Sequence, residues 1–271
     1  MASRLATTLS DSLLTRTWSA LRAEGRRALI PYLTAGYPSR DASAAAIRTA
    51  ADVADIIEVG IPFSDPLADG PTIQRSTFQA LQQGMTLPGA LELIGELDLA
   101  RPVVVFSYLN PILHYGIERF LTDATALGVA GLILTDLPAG SDPEVERAVQ
   151  ASALDLIRLI APTTRGDRMA VALEGAQGFV YVVARLGVTG ARASLSGSLA
   201  ESIRAVRRAT SLPVAVGFGI STPEHARAIG LMADGVVVGS ALVDVLGRDG
   251  VRAAGRFLRS LREGLDSGAR S

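Results

Sequence analysis

The chain has 271 residues, 26 basic and 27 acidic side chains, a formal net charge of −1 and 48% hydrophobic residues. That balance fits a large globular core and excludes a disordered chain, and without a basic run no nucleic acid is expected as partner. No apolar stretch approaches the roughly 18 residues that cross a bilayer, and Ser10 and Asp11 interrupt any signal-like run near the start, so no membrane is expected and a cytoplasmic location is the default.

In chain order, the first predicted element is a helix within residues 1–27, where Leu14, Trp18 and Leu21 share a face and Gly25 ends it. It could plug the N-terminal mouth of a barrel. Strands are predicted at 28–33, 55–59, 102–107, 131–134, 155–160, 179–183, 213–217 and 235–238, nearly continuous in Val, Ile and Leu, as parallel strands covered on both faces should be. An additional helix is predicted at 87–97. In 116–127 the residues Ile117, Phe120, Leu121, Ala124 and Leu127 fall on one face, with Gly128 as a stop. Ser141-Asp142-Pro143-Glu144 sets a cap with Pro at the first helical position. Ser198-Leu-Ala-Glu201 reads as a capping box, with Ile203 and Val206 facing inward, and Ser221-Thr222-Pro223-Glu224 repeats the cap-then-Pro pattern. A short helix begins at Gly239-Ser240, and residues 250–271 form a C-terminal helix. Eight strand–helix alternations without a linker predict an α/β protein, one (β/α)8 TIM barrel over residues 1–271; a doubly wound open sheet is the structural alternative.

The segment from Glu58 to Arg75 holds the sharpest chemistry. Glu58 sits in Ile56-Ile57-Glu58-Val59, otherwise a buried strand, and a loop with Pro62 and Pro66 then delivers Asp69 before the next helix. A buried carboxylate is costly unless paired or protonated, and two carboxylates in different environments are the usual equipment for acid/base work near neutral pH. Glu58 could instead answer an Arg or a backbone amide, and Asp69-Gly-Pro could be ordinary turn chemistry. Asp65 and Asp69 lack a His neighbour or further clustered oxygens, so no metal is expected.

Barrel sites form at the C-terminal ends of strands. The loops after the last three predicted strands are Gly-rich: Gly187-Val-Thr189-Gly190, Gly217-Phe-Gly219 and Gly239-Ser240. Consecutive amides there can cradle an anion, helped by a helix N-terminus after Gly239; the alternative is that these glycines only serve tight turns. Residues 187–197 are small and polar and read as a mobile lid or as a plain flexible loop. Tyr181 is an aromatic hydroxyl in a buried strand, either a core residue or part of a pocket wall. His114 and His225 do not neighbour the carboxylates in sequence. There is no cysteine, which removes disulfides and thiol chemistry. There is no lysine either, so every basic residue is Arg and Schiff-base aldol cleavage is impossible in this chain.

The block Glu58-Val-Gly-Ile-Pro-Phe-Ser-Asp-Pro-Leu-Ala-Asp69-Gly-Pro-Thr-Ile-Gln closely resembles the signature of the tryptophan synthase alpha subunit family. Pro31-Tyr-Leu-Thr-Ala-Gly-Tyr-Pro38, Tyr108-Leu-Asn-Pro111, Leu134-Thr-Asp-Leu-Pro138, Ala161-Pro-Thr-Thr164, Arg185-Leu-Gly-Val-Thr-Gly190 and Gly217-Phe-Gly-Ile-Ser221 resemble it too, in the family's order. The resemblance implies a (β/α)8 barrel and retro-aldol cleavage of indole-3-glycerol phosphate to indole and glyceraldehyde 3-phosphate. It implies Glu58 as general acid/base and Asp69 as the partner of the indole N–H. It further implies Tyr181, Tyr32, Phe106 and Ile133 around the indole, with Tyr32 standing where some relatives have Phe. Gly190, Gly219, Gly239 and Ser240 match phosphate-binding positions, and Thr189 matches a lid residue closing toward Asp69.

The same resemblance implies a beta subunit as partner in an alpha2-beta2 heterotetramer, contacted through residues 62–65 and 108–110. Pyridoxal phosphate is expected in that partner and no cofactor in this chain. Two other functions stay open on the sequence: a free-standing indole-3-glycerol phosphate lyase, and a non-catalytic phosphate-binding barrel that regulates a partner. A sugar-phosphate isomerase is a more distant enzyme alternative.

Overall fold

The computed structural model describes residues 12–161, 163–183, 192–217 and 219–269. The described residues begin with helix α1 (Leu13–Ala23) and strand β1 (Ala28–Thr34). Helix α2 (Arg40–Ala51) leads to β2 (Ile57–Gly60), and α3 (Pro71–Gln82) with α4 (Leu87–Leu97) leads to β3 (Val103–Ser107). Helices α5 (Leu109–Tyr115) and α6 (Ile117–Ala126) precede β4 (Val129–Leu134), and α7 (Pro143–Ala151) precedes β5 (Asp155–Ile160). Then follow α8 (Asp167–Ala172), β6 (Val180–Val183), α9 (Arg192–Ala209), β7 (Val214–Gly217), α10 (Pro223–Gly230) and β8 (Gly235–Val238). The last helix, α11 (Ser240–Ala269), is broken by Gly250 at φ 77° into a short helix and a C-terminal one. The described strands pair in parallel in chain order, and β8 closes the barrel on β1.

Side chains alternate across each strand, so every strand feeds two cores. Outward-facing Leu29, Leu33, Val59, Val105, Leu132, Leu156, Val182 and Val236 pack under the ring of helices. Inward-facing Ile30, Ile56, Val104, Ile133, Ile157, Phe179, Ala215 and Val237 fill the barrel. The inner core continues into α1, whose Leu14, Trp18 and Leu21 join the same cluster, with the Trp18 ring 5.5 Å from Phe179. Ser12 caps α1, accepting from the Thr15 amide at 3.1 Å and donating to the Asp155 carboxylate at 2.6 Å. The helix plugs the N-terminal mouth, as its apolar face predicts. Nearby, Asp55 accepts from the Leu29 amide and from Arg262, each at 2.9 Å, and from Arg26 at 3.2 Å. That carboxylate ties β1 and the C-terminal part of α11 to the barrel floor.

The predicted caps at Asp142 and Thr222 are present: Asp142 accepts from the amides of Glu144 and Val145, and Thr222 from that of His225 at 3.2 Å. Two predictions are corrected. Helix α9 begins at Arg192, so Ser198 lies inside the helix instead of capping it; the helix runs through Gly197, whose local cost of about 1 kcal/mol is too small to end it. The second part of the expected lid, 192–197, is therefore helical, and its first part lies outside the described residues. Helix α5 was not predicted. Its cap residue Tyr108 offers no side-chain cap; the Leu109 amide is satisfied by Asp136, 27 residues away, at 2.7 Å.

Among the described residues no helix is long and apolar enough to cross a membrane.

Candidate active site

Glu58 stands on β2 in register with Tyr32 of β1 and Val104 of β3. Its inward position follows from the two-residue period of the strand, since Ile56 also faces in while Ile57 and Val59 face the helices. It is 1% exposed, and neither carboxylate oxygen has a hydrogen-bond partner. No Arg or amide answers it among the described residues, unlike the structural role that remained open on the sequence. Burial disfavours the charged form and raises its pKa from 4.5 to about 8.

Asp69 reaches the same cavity from the loop after β2. That loop is pinned in several places. The Asp69 amide donates to the Pro66 carbonyl at 3.1 Å, and the Gln74 side chain donates back to the Asp69 carbonyl at 2.9 Å. Gly70 then serves as N-cap of α3 with Pro71 at its first position. The Tyr108 hydroxyl accepts from the Ala68 amide at 2.9 Å and donates to the Asp69 carboxylate. Burial lifts the Asp69 pKa to about 6, and the Tyr108 hydrogen bond opposes part of that rise. The two carboxylates are thus driven to different values by different surroundings. At neutral pH Glu58 holds its proton and Asp69 is mostly charged.

A cavity of about 600 Å³ opens between them at the C-terminal mouth, with Glu58, Asp69, Tyr32, Phe106, Leu159 and Tyr181 on its walls. Such a volume accommodates a small-molecule ligand. Tyr32 meets Phe106 edge-on, ring centres 5.4 Å apart at 81°, giving a flat apolar slot. The hydroxyls of Tyr32 and Tyr181 are buried, and desolvation raises the pKa of both well above the usual phenol range. Room for these tyrosines is made by two glycines. A Cβ on Gly60 would lie 2.1 Å from the Tyr32 hydroxyl, and one on Gly217 would lie 2.1 Å from the Tyr181 hydroxyl.

The opposite end of the cavity is polar and backbone-rich, with Gly219, Ser221, Gly239, Ser240 and Asp244. Gly219 has φ +78°, a left-handed turn that suits glycine. Gly239 immediately precedes α11, so the amides and dipole of that helix end face the cavity. Among the described residues that line this cavity there is no Lys or Arg.

Of the site residues expected from sequence, Glu58, Asp69, Tyr32, Phe106, Tyr181, Gly219, Gly239 and Ser240 come together around this one cavity. Ile133 does not reach its wall; it is 0% exposed within the inner core, and Leu159 lines the cavity from β5 instead. Thr189 and Gly190 lie outside the described residues. His114 falls on α5 and His225 on α10, and neither lines the cavity. Sequence reasoning missed Leu159, Asp244 and the Tyr108 contact to Asp69. The alternation of β5 could have found Leu159, because Ile157 and Leu159 share a face. Nothing local in the sequence pairs Tyr108 with a loop 40 residues away.

The comparisons with known proteins agree with this geometry. The family model described as tryptophan synthase alpha chain matches residues 18–262. The tryptophan synthase alpha chain of Acidiphilium cryptum is 46% identical over 239 residues, 87% of each chain. The alpha subunit structure from Legionella pneumophila superposes with TM-score 0.87 at 34% identity, covering 95% of this chain and all of that one (100%). A Mycobacterium tuberculosis tryptophan synthase structure gives TM-score 0.86 at 38% identity, covering 94% and 98%. With the carboxylate-bearing barrel mouth, the family model and these relatives in agreement, the chain belongs to the tryptophan synthase alpha chain family.

Proposed function

We propose that Glu58 and Asp69 divide the chemistry of the family's lyase reaction, the retro-aldol cleavage of indole-3-glycerol phosphate to indole and glyceraldehyde 3-phosphate. Direct cleavage of the C–C bond would expel a carbanion-like indole, so C3 is protonated first. Glu58, neutral at physiological pH because it is desolvated, donates that proton. Positive charge then spreads to the ring nitrogen, where ionised Asp69 accepts the N–H and stabilises it. The Glu58 carboxylate next takes the proton from the side-chain hydroxyl beside the breaking bond. The electron pair of that bond returns to the ring, releasing indole and the aldehyde. Tyr32, Phe106, Leu159 and Tyr181 hold the ring, and the amides around Gly219, Gly239 and Ser240 receive the phosphate.

The observation that carries this reading is an unpartnered, buried carboxyl on the wall of a ligand-sized cavity that a second, half-buried carboxylate also lines. The test is indole release from indole-3-glycerol phosphate, with and without a beta partner. Loss of release in Glu58→Gln with retained substrate binding is expected; turnover near the wild-type value would overturn the assignment. A non-catalytic regulatory barrel would release no indole even as wild type.

The expected partner is a beta subunit, in an alpha2-beta2 assembly in the cytoplasm, with pyridoxal phosphate bound by that subunit. Residues 62–65 and 108–110, the proposed contact segments, pack together: the Phe63 and Tyr108 rings lie 5.1 Å apart. Beside them Leu67 is 93% and Phe78 63% exposed, an apolar surface suited to a protein partner. Tyr108 also touches Asp69, so a beta subunit seated there would bear on the loop that carries this carboxylate.

A further inference from the structure

Asp244 lines the phosphate end of the cavity, an unexpected place for a carboxylate. It lies four residues after Ser240, one turn into α11. It lies past the first turn, where the helix-end field has faded, so its charge acts on an anion at that end by direct repulsion. The carboxylate therefore opposes an incoming phosphate. It is also held by α3 across the mouth: one oxygen accepts from the Thr72 hydroxyl at 3.1 Å and the other from Arg75 at 3.2 Å. Arg75 additionally donates to the Thr72 hydroxyl at 3.2 Å, closing a three-membered strap between the two helices.

Resting on the assignment of the Gly239 end as the phosphate site, we propose that Thr72, Arg75 and Asp244 form a charge-compensated rim that sets the affinity for the phosphate ester. Asp244 lowers that affinity and Arg75 restores it, so the loop–helix segment that carries Asp69 also tunes phosphate binding through the next turns of α3. Arg75 and Asp244 are exposed, with side chains 67% and 50% accessible. Asp244 lines the cavity and Arg75 reaches it only through Asp244 and Thr72, so their influence on a ligand there is a modest, salt-sensitive Coulomb effect.

The test is a charge cycle in the full chain, with inorganic phosphate and glyceraldehyde 3-phosphate as probes. Asp244→Asn should lower KM for indole-3-glycerol phosphate and tighten both probes by about three- to tenfold at low salt. Arg75→Gln should weaken them by a similar factor, and the double variant should return near wild type. The effects should shrink at high salt and fall on KM more than on kcat, and binding of uncharged indole should not follow them. Variants that all bind the probes like wild type, or a double variant that adds the two changes in one direction, would overturn the rim. A wild-type chain whose cavity ignores both probes would instead remove the phosphate assignment itself, and the rim with it.

Discussion

Asp55 and Glu58 are three residues apart and equally hidden, 2% and 1% exposed, yet the molecule treats them in opposite ways. At the floor of the barrel Asp55 is fully answered by the Leu29 amide and two arginines. On the barrel's inner wall Glu58 has no hydrogen-bond partner among the described residues. The first carboxylate contributes to holding the fold, and the second is a cost that the fold carries, in keeping with the proton-donor role proposed for it. Burial alone therefore says little about a charged residue; its partners decide which purpose it serves.

Substitutions at the two positions should separate these purposes. Glu58→Gln should reduce kcat by about 10²–10⁴-fold, the usual contribution of a positioned acid/base. It should also stabilise the fold on the alkaline side. As pH rises from 4.5 toward about 8, folded Glu58 keeps a proton that the unfolded chain gives up, so wild-type stability falls through that window by a few kcal/mol in order of magnitude. Thermal melts at pH 5 and pH 9 check this: the variant's advantage should appear only at the higher pH. Asp55→Ala should do the reverse, costing about 1–3 kcal/mol by leaving the Leu29 amide orphaned and Arg262 with Asp266 as its remaining carboxylate partner. Turnover per folded molecule should persist, as denaturant titration paired with indole release would reveal.

Asp69→Asn probes a third environment, the half-buried loop, and should lose about 2.7–4 kcal/mol of transition-state stabilisation with the fold intact. The pH dependence of kcat/KM sharpens the contrast between the two cavity carboxylates. It should rise as Asp69 ionises near 6 and fall as Glu58 loses its proton near 8. A profile without the alkaline limb would count against Glu58 as proton donor. The smallest change should follow Tyr108→Phe, which removes one hydrogen bond from Asp69, on the order of 1 kcal/mol. Without that hydrogen bond, which lowers the Asp69 pKa, the acid limb should move upward.

The fold was legible because its signals are local. Strands β5 and β8 have the predicted bounds and the others shift by one or two residues, since runs of Val, Ile and Leu between turn residues need no distant partner to be recognised. Glu58 stood out for the same reason, as a charge breaking an apolar run. What escaped depends on tertiary contact. Helix α5 is capped from 27 residues away by Asp136, and Asp244 acquires its meaning only beside Arg75, 169 positions earlier in the chain. The start of α9 escaped for another reason: Ser196-Gly197 just before the capping box at Ser198 read as a boundary, yet the helix runs through them. Ile133 was assigned from resemblance to a wall that, in this chain, Leu159 provides.

Gly60 and Gly217 have a consequence for how the substrate slot can change. Neither borders the cavity, yet each gives up its side-chain volume to a tyrosine hydroxyl that does. A methyl group at either position would push an aromatic ring into the cavity, and trimming that ring to Phe would relieve only part of the clash, because the ring carbon that bears the hydroxyl would still lie 2.5 Å from a Cβ on Gly60 or 2.6 Å from one on Gly217. Tolerance for bulkier or smaller aromatic substrates is thus governed from behind the wall, by residues that a map of ligand contacts would pass over.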